Sequence, residues 1–281
     1  MTRQTQETTR WQAIQAVSSR ELVTLARARS SWVLFAGTIG AVLGLVLAGG
    51  GPESGYLPTA VTLRLPMELL VPALAVALGY QPIPADARRG ELEILETYPL
   101  PAWGYVLGIY VGRALALLVL VAVPLTVVAA YVAVTGESGP SLIASQQGVD
   151  SPLVFVRFGI LTSLFGLTVL AMVLAASALA WSRRTAIVFA ILVLGGVVLS
   201  FELFLLRGFG GGVVSADRLP SVLAVSPSAA YRGLVFETVL SPAVGGDGRH
   251  VAPVAAVIGL LAWTLGSLLF TSSAVAHRMR T

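Results

Sequence analysis

Runs of apolar residues long enough to cross a lipid bilayer as helix dominate this chain and constrain everything else about it. A hydrocarbon layer about 30 Å thick needs around 20 apolar residues of helix. Five uninterrupted runs meet that requirement, at 31–47, 105–132, 158–180, 186–206 and 251–276, each flanked by arginine, glycine, proline or acidic residues. A sixth, 57–80, is interrupted by Arg64 and Glu68, which stand four apart and on a helix could neutralise each other near the membrane surface. Only 65–80 is evenly apolar there, with Pro66 suited to a first helical turn. Composition excludes the soluble alternative: 56% of the 281 residues are hydrophobic and 11% charged, against roughly 25% charged in an ordinary soluble domain. The expectation is an all-α integral membrane protein of six transmembrane helices forming a single domain over 1–281.

Arginine placement sets the orientation. All 18 basic residues are arginine. With six spans and an inside N-terminus, the inner segments hold Arg3, Arg10, Arg20, Arg27, Arg29, Arg88, Arg89, Arg183, Arg184, Arg278 and Arg280, with Arg113 just inside the third span. The outer segments hold Arg64, Arg157, Arg207, Arg218, Arg232 and Arg249. That bias follows the positive-inside rule and implies both termini in the cytoplasm. Dropping the 57–80 span would blur it. The first apolar run begins only at Ser31, so no cleavable signal peptide is expected and the first span is its own anchor.

Several function classes fall away. There is no cysteine, which removes disulfides, thiolate metal sites and a catalytic thiol. Without lysine there is no P-loop lysine, Schiff base or Ser-Lys dyad, so the chain is not itself a Walker-type ATPase. His250 and His277 lie outside the spans, and Met1, Met67, Met172 and Met279 are too dispersed for a soft-ligand relay. No resident metal is expected, and no catalytic residue. The arginines form no basic stripe with interleaved aromatics, which argues against nucleic acid.

Before the first span, Trp11, Ile14, Leu22 and Leu25 share one helical face while Gln12, Gln15, Ser19, Arg20 and Arg27 cover the rest. This reads as an amphipathic helix lying in the cytoplasmic interface, or as a soluble leader helix, with Thr9 and Gln12 spaced as a capping box. In the third span, Gly104, Gly108 and Gly112 make two overlapping GxxxG steps that admit close approach of another helix, here unspecified, unless they are simply tolerated in a membrane helix. Pro124 is expected to kink the same span. Glu68, Arg113 and Glu202 are the intramembrane charges, candidates for function by default, although near a helix end such groups can simply be hydrated. In the external segment 207–250, Ser226 and Pro227 open a capped helix over 228–240, external or re-entrant, with Ala230, Leu234, Val235 and Thr238 to one side.

The cytoplasmic loop 81–104 reads Asp86-Ala-Arg-Arg-Gly-Glu-Leu-Glu-Ile-Leu-Glu-Thr-Tyr-Pro. Asp86 can cap a short helix that Pro99 ends, with Leu92, Ile94, Leu95 and Tyr98 on one face and Arg89, Glu93 and Glu96 on the other. Such a face suits a protein partner. Arg88 with Glu91 and Arg89 with Glu93 could pair within the helix, leaving a solvated loop.

The run Arg89-Gly90-Glu91-Leu92-Glu93-Ile94-Leu95-Glu96-Thr97-Tyr98-Pro99, followed by Trp103, Leu107, Gly108 and Gly112, resembles the permeases of ABC-2 type transporters, most closely their NosY-like branch. The Trp181-Ser182-Arg183-Arg184 turn and the external Ser226-Pro227-Ser228-Ala229-Ala230-Tyr231-Arg232 motif are similar too. The pattern departs at Glu91, where a small hydroxyl residue is usual, and at Ile109, where a basic one is common. The resemblance implies a coupling helix, involving Asp86, Arg88, Arg89, Gly90, Glu91, Leu92, Glu93, Leu95 and Glu96, that seats in a separate P-loop nucleotide-binding subunit. ATP and magnesium would belong to that subunit. It further implies a second permease copy, cytoplasmic (inner) membrane location, an extracytoplasmic accessory protein, and a link to copper-site maturation in nitrous oxide reductase. Lipid or drug-like cargo, or a membrane scaffold without transport, are the alternatives. An intramembrane enzyme has no support in the sequence, which lacks His-Glu-x-x-His and any serine beside a base.

Overall fold

The computed structural model describes residues 3–49, 55–90, 101–135, 150–210, 226–240 and 253–279, the side chains of 3–10, 199–210 and 240 among those excepted. The described residues form nine α-helices and no strand: α1 (Arg3–Arg27), α2 (Arg29–Ala48), α3 (Tyr56–Gly79), α4 (Pro82–Arg88), α5 (Ala102–Thr135), α6 (Pro152–Leu179), α7 (Arg183–Gly210), α8 (Pro227–Val235) and α9 (Pro253–Met279). A π turn, Phe236–Leu240, extends α8. Among the described residues, five stretches are long and apolar enough to cross a membrane: α2, α3 running on into α4, α5, α6 and α9. α7 has 28 residues, about 42 Å of helix at 1.5 Å per residue. Residues 91–100, which hold Glu91, Leu92, Glu93, Leu95 and Glu96, lie outside the described part.

α6 is the hub. It packs against α3, α5, α7, α8 and α9, and Phe158, Phe165, Val169, Leu170, Ala171, Val173 and Leu174 are all fully buried along it. Leu63, Val71 and Ala75 of α3 meet Leu117, Val121 and Val128 of α5 in the same apolar core. Close approach at that core depends on small residues: a Cβ on Gly166 would stand 2.7 Å from Val71. With no hydrophobic force to drive helices together in lipid, such close van der Waals packing is what holds a bundle.

Sequence and structure part at two local points in these helices. The helix of α1 already runs through Thr9, so Thr9 is interior and opens no capping box. α3 begins at Tyr56, which puts Pro66 and Pro72 inside it and not in a first turn. Pro124 lies inside α5, which runs from Ala102 to Thr135.

α3 starts instead on a cap supplied from far along the chain. Asp150 accepts hydrogen bonds from the Tyr56 and Leu57 amides at 3.1 and 2.6 Å, two of the donors a helix start leaves unsatisfied. Gly55 at the N-cap has φ 101°, ψ −176°, a region essentially restricted to glycine.

Candidate functional site

α1 lies against α5, and the glycines of α5 are the reason. A Cβ on Gly108 would stand 2.7 Å from Val17, and one on Gly112 would stand 2.8 Å from both the Ser18 carbonyl and the Glu21 side chain. The GxxxG steps therefore receive α1. Gly104, one turn earlier, is buried in the same helix. The expected apolar stripe of α1 divides accordingly. Ile14 is buried, Leu22 and Leu25 are half-buried, and Trp11 is 63% exposed.

On that buried face sits a carboxylate. Glu21 is 5% exposed and is gripped by Arg113 of α5, whose Nε and Nη2 donate to Oε2 at 2.9 and 2.7 Å. Arg113 also donates through Nη1 to the carbonyl of Leu78, one of the last-turn carbonyls that α3 leaves unpaired. The intramembrane charge of Arg113 is thus paired with an acid and used to tie α1, α3 and α5 together, as buried charges in membrane proteins generally must be.

The network continues to the base of the 81–104 loop. Arg20 donates to Glu21 Oε1 at 3.1 Å and to Asp86 Oδ2 at 2.7 Å. Asp86, 1% exposed, accepts further bonds from Tyr105 Oη at 2.7 Å and from Arg89 Nη2 at 2.6 Å. Burial pushes its carboxyl pKa up, but the hydrogen bonds from Tyr105, Arg20 and Arg89 outweigh that and hold it below the ordinary value. Asp86 falls in the last turn of α4 and does not begin a helix, which corrects the capping role the sequence suggests. The helix ends next to it, with Arg89 at the C-cap and Gly90 at φ 71°, so a five-member chain, Arg89–Asp86–Arg20–Glu21–Arg113, anchors the point where residues 91–100 leave. Arg88 lies in the same turn of α4.

An apolar cluster backs this network: Ile83 of α4, Tyr105, Val106 and Ile109 of α5, Leu174 and Ala178 of α6, and Val275 of α9. Ile109 is fully buried in it, so the departure from a basic residue there matches a dry environment. At the same end, Arg278 donates to the Ala180 carbonyl at 3.0 Å, and Ala13 and Val17 of α1 and Met279 of α9 pack on that cluster.

The opposite half carries a second tie. Glu68 of α3, 1% exposed, pairs with Arg232 of α8 through Oε1 and Nε, a partner 164 residues away in place of the neighbouring Arg64. Tyr231 stacks on Phe165 of α6 at a centroid distance of 4.7 Å and an interplanar angle of 11°, and its hydroxyl meets Thr162 at 3.0 Å. Burial raises the Tyr231 pKa above the ordinary phenol value. Pro227 occupies the first turn, and the Ser226 hydroxyl meets that of Ser228 at 3.2 Å without bonding a helix amide. The external motif is thus an almost wholly buried helix packed on α6, α7 and α9 and tied to α3 by Arg232, with Ala230 and Leu234 against Ala256 and Leu260. The helix expected to reach Leu240 gives way at Phe236 to the π turn. Glu202 falls on α7, and its side chain lies outside the described part.

Arg20, Glu21, Tyr105 and Asp150 were not singled out by the motifs. Glu21 had a signal: it sits seven residues after Ile14, on the apolar face where an acid has no place without a cation. Among the described residues no group of three or more His, Asp or Glu could hold a metal ion. The chemistry of both ties is mechanical, joining helices by buried ion pairs.

Comparison with known proteins adds two findings. Residues 2–278 match the family model described as ABC-2 family transporter protein. The chain is 29% identical over 216 residues to the probable ABC transporter permease protein NosY of Stutzerimonas stutzeri, covering 73% of this chain and 75% of that one.

Proposed function

This chain belongs to the ABC-2 family of transporter proteins, and we propose that it is the permease of an ABC transporter whose cargo is driven across the cytoplasmic membrane by ATP hydrolysed, with magnesium, in a separate P-loop subunit. In this reading α7 is the sixth span, both termini are cytoplasmic, and two permease copies form the pathway. The loop 81–104 is the seat of the ATPase, with Leu92 and Leu95 as the buried anchor and Glu93 and Glu96 as orienting charge.

One observation carries the reading: α3, the helix that runs into the loop, is tied at its end and again near its middle. Its Leu78 carbonyl is held by Arg113, itself joined through Glu21 and Arg20 to Asp86. Ten residues earlier, about 15 Å along the helix, Glu68 holds the external helix α8 through Arg232. A push on the loop would therefore move α1, α3 and α5 as a unit and pull on α8, the kind of rigid-element shift by which packed helices switch between discrete states. Closure of two ATPase subunits on nucleotide supplies that push.

Within this reading, a NosY-like role in copper-site maturation of nitrous oxide reductase, with an extracytoplasmic accessory protein, requires a cargo other than the bare metal. The chain has no cysteine, two histidines and four scattered methionines, too few soft donors for a copper path. A sulfur compound, a lipid or a drug-like molecule fits the apolar interior.

The test is a mild-detergent pull-down of the tagged chain from native membranes, with Leu92→Asp, Leu95→Asp alongside. Wild type is expected to retain a P-loop ATPase and the variant to lose it. Retention by both would move the seat elsewhere, and an ATPase recovered with neither would leave a scaffold without transport.

A further inference from the structure

Between α1, α2, α5 and the last turn of α3 lies an apolar cavity of about 430 Å³, walled by residues that include Leu22, Trp32, Phe35, Leu78, Ala116 and Leu120. Among the described residues, Ser31 brings the only hydroxyl to that wall, and the Trp32 indole N–H is already spent on the Ala26 carbonyl at 2.9 Å. The cavity sits on the side of α5 away from the hub: no residue of α6, α8 or α9 lines it. Its size and lining are those of a small-ligand site.

The corner beside it has the opposite chemistry. The chain leaves α1 and enters α2 through Ala28, whose extended conformation (φ −75°, ψ 121°) interrupts the helix. Arg27 and Arg29 stand on either side of it, both exposed. Trp32, 62% exposed, follows one turn later, the residue type that marks a membrane–water boundary. Two guanidiniums at the boundary, beside an apolar groove that opens from the same corner, match a molecule with an anionic head and a hydrocarbon tail. A helix with its side chains is about 10–12 Å across, too thick for this space, whereas a single hydrocarbon chain is not.

We propose that this groove holds one acyl chain of an anionic phospholipid from the leaflet at the α1 end of the bundle, with the phosphate of its headgroup on Arg27 and Arg29. The site adjoins the Arg89–Asp86–Arg20–Glu21–Arg113 network through Leu78, whose carbonyl Arg113 holds, and does not depend on the transport reading. Basic corners between membrane helices attract anionic lipid at a gain that corresponds to about fivefold per arginine.

The experiment is native mass spectrometry of the detergent-solubilised full chain titrated with dioleoyl phosphatidylglycerol and, in parallel, dioleoyl phosphatidylcholine. Wild type is expected to retain phosphatidylglycerol preferentially. Arg27→Gln and Arg29→Gln should each weaken that retention about fivefold, and Ala116→Trp, which fills the groove, should abolish it with no change in oligomeric mass. The proposal is overturned by equal retention of the two lipids, by arginine variants that bind like wild type, or by a folded Ala116→Trp that keeps its lipid. A change of oligomeric mass in Ala116→Trp with lipid retention unaltered would show instead that a second copy covers this face. If Ala116→Trp does not fold, the two arginine variants, altered only at exposed positions, decide the matter alone.

Discussion

Arg20 on α1 and Asp86 on α4, 66 residues apart in the chain, meet at 2.7 Å. The bond ties the helix before the first span to the base of the loop after the second. Asp86→Ala would strand the buried Tyr105 hydroxyl and remove the acceptor shared by Arg20 and Arg89. Since the Arg20 and Arg89 side chains are 42% and 62% exposed, both can turn to water, which lowers the usual cost of breaking a buried pair. About 2–3 kcal/mol of stability should be lost, chiefly from Tyr105 and residual desolvation, read as an earlier thermal transition in detergent. If the chain works as the proposed permease, ATPase activity of the assembled transporter should become independent of cargo.

A pH dependence follows from the same carboxylate. Its folded pKa is lowered, so its contribution is complete above the unfolded value, about 3.9, and is lost as pH falls through the folded one. Asp86→Asn keeps the shape and one acceptor oxygen but not the charge. The stability gap between wild type and Asp86→Asn should be open at neutral pH and close under acid, as measured by thermal unfolding across a pH series.

The close approach of α1 to α5 is tested by a single methyl group. Gly112→Ala would bring its Cβ to 2.8 Å from the Ser18 carbonyl, whereas a Cβ on Gly44 or Gly266 meets nothing within 4 Å. Gly112→Ala should loosen α1 and expose Arg20 to trypsin. Gly44→Ala and Gly266→Ala should be neutral or stabilising by up to about 1 kcal/mol, through helix propensity alone. Equal trypsin cleavage in all three variants would remove α1 from the glycine groove.

Apolar runs were readable because a span is a local property: the run 31–47 lies within α2 (Arg29–Ala48) and 158–180 tracks α6 (Pro152–Leu179). The glycine spacing on α5 announced a close neighbour for the same reason. What a sequence does not carry is the identity of a distant partner. Glu68 has Arg64 one turn away, yet its ion pair is with Arg232, because burial against α8 selects the cation that comes with the packing. Asp86 reads locally as a helix cap, and its place in α4 is set by Arg20 and Tyr105, which reach it from two other helices. Asp150, the cap of α3, lies more than ninety residues from the amides it receives.

The Glu68–Arg232 pair gives an asymmetric prediction. Arg232→Met leaves a carboxylate that is 1% exposed without this cation and should cost about 3–5 kcal/mol, whereas Glu68→Met combined with Arg232→Met should recover most of it. A double-mutant cycle on thermal stability measures the difference. If the pair also links α3 to α8 during transport, the double variant should be stable yet slow in moving cargo. Wild-type transport by the stable double variant would leave the pair a purely structural tie.

Gly55 and Asp150 together start α3, and they should fail to different degrees. Asp150→Asn keeps one acceptor for the Tyr56 or Leu57 amide but loses the negative charge that favours a helix N-terminus, a loss of about 0.5–2 kcal/mol. Gly55→Ala is worse for two independent reasons. Its φ of 101° and ψ of −176° belong to a region that costs a side-chain-bearing residue about 1–3 kcal/mol. Its Cβ would also fall 2.1 Å from Asp150 Oδ2, so the carboxylate must leave the amides it caps. Gly55→Ala should therefore melt below Asp150→Asn, and combining the two should add little, since the first already displaces the cap. Full additivity in the double variant would mean that the two residues act separately, against the contact seen here.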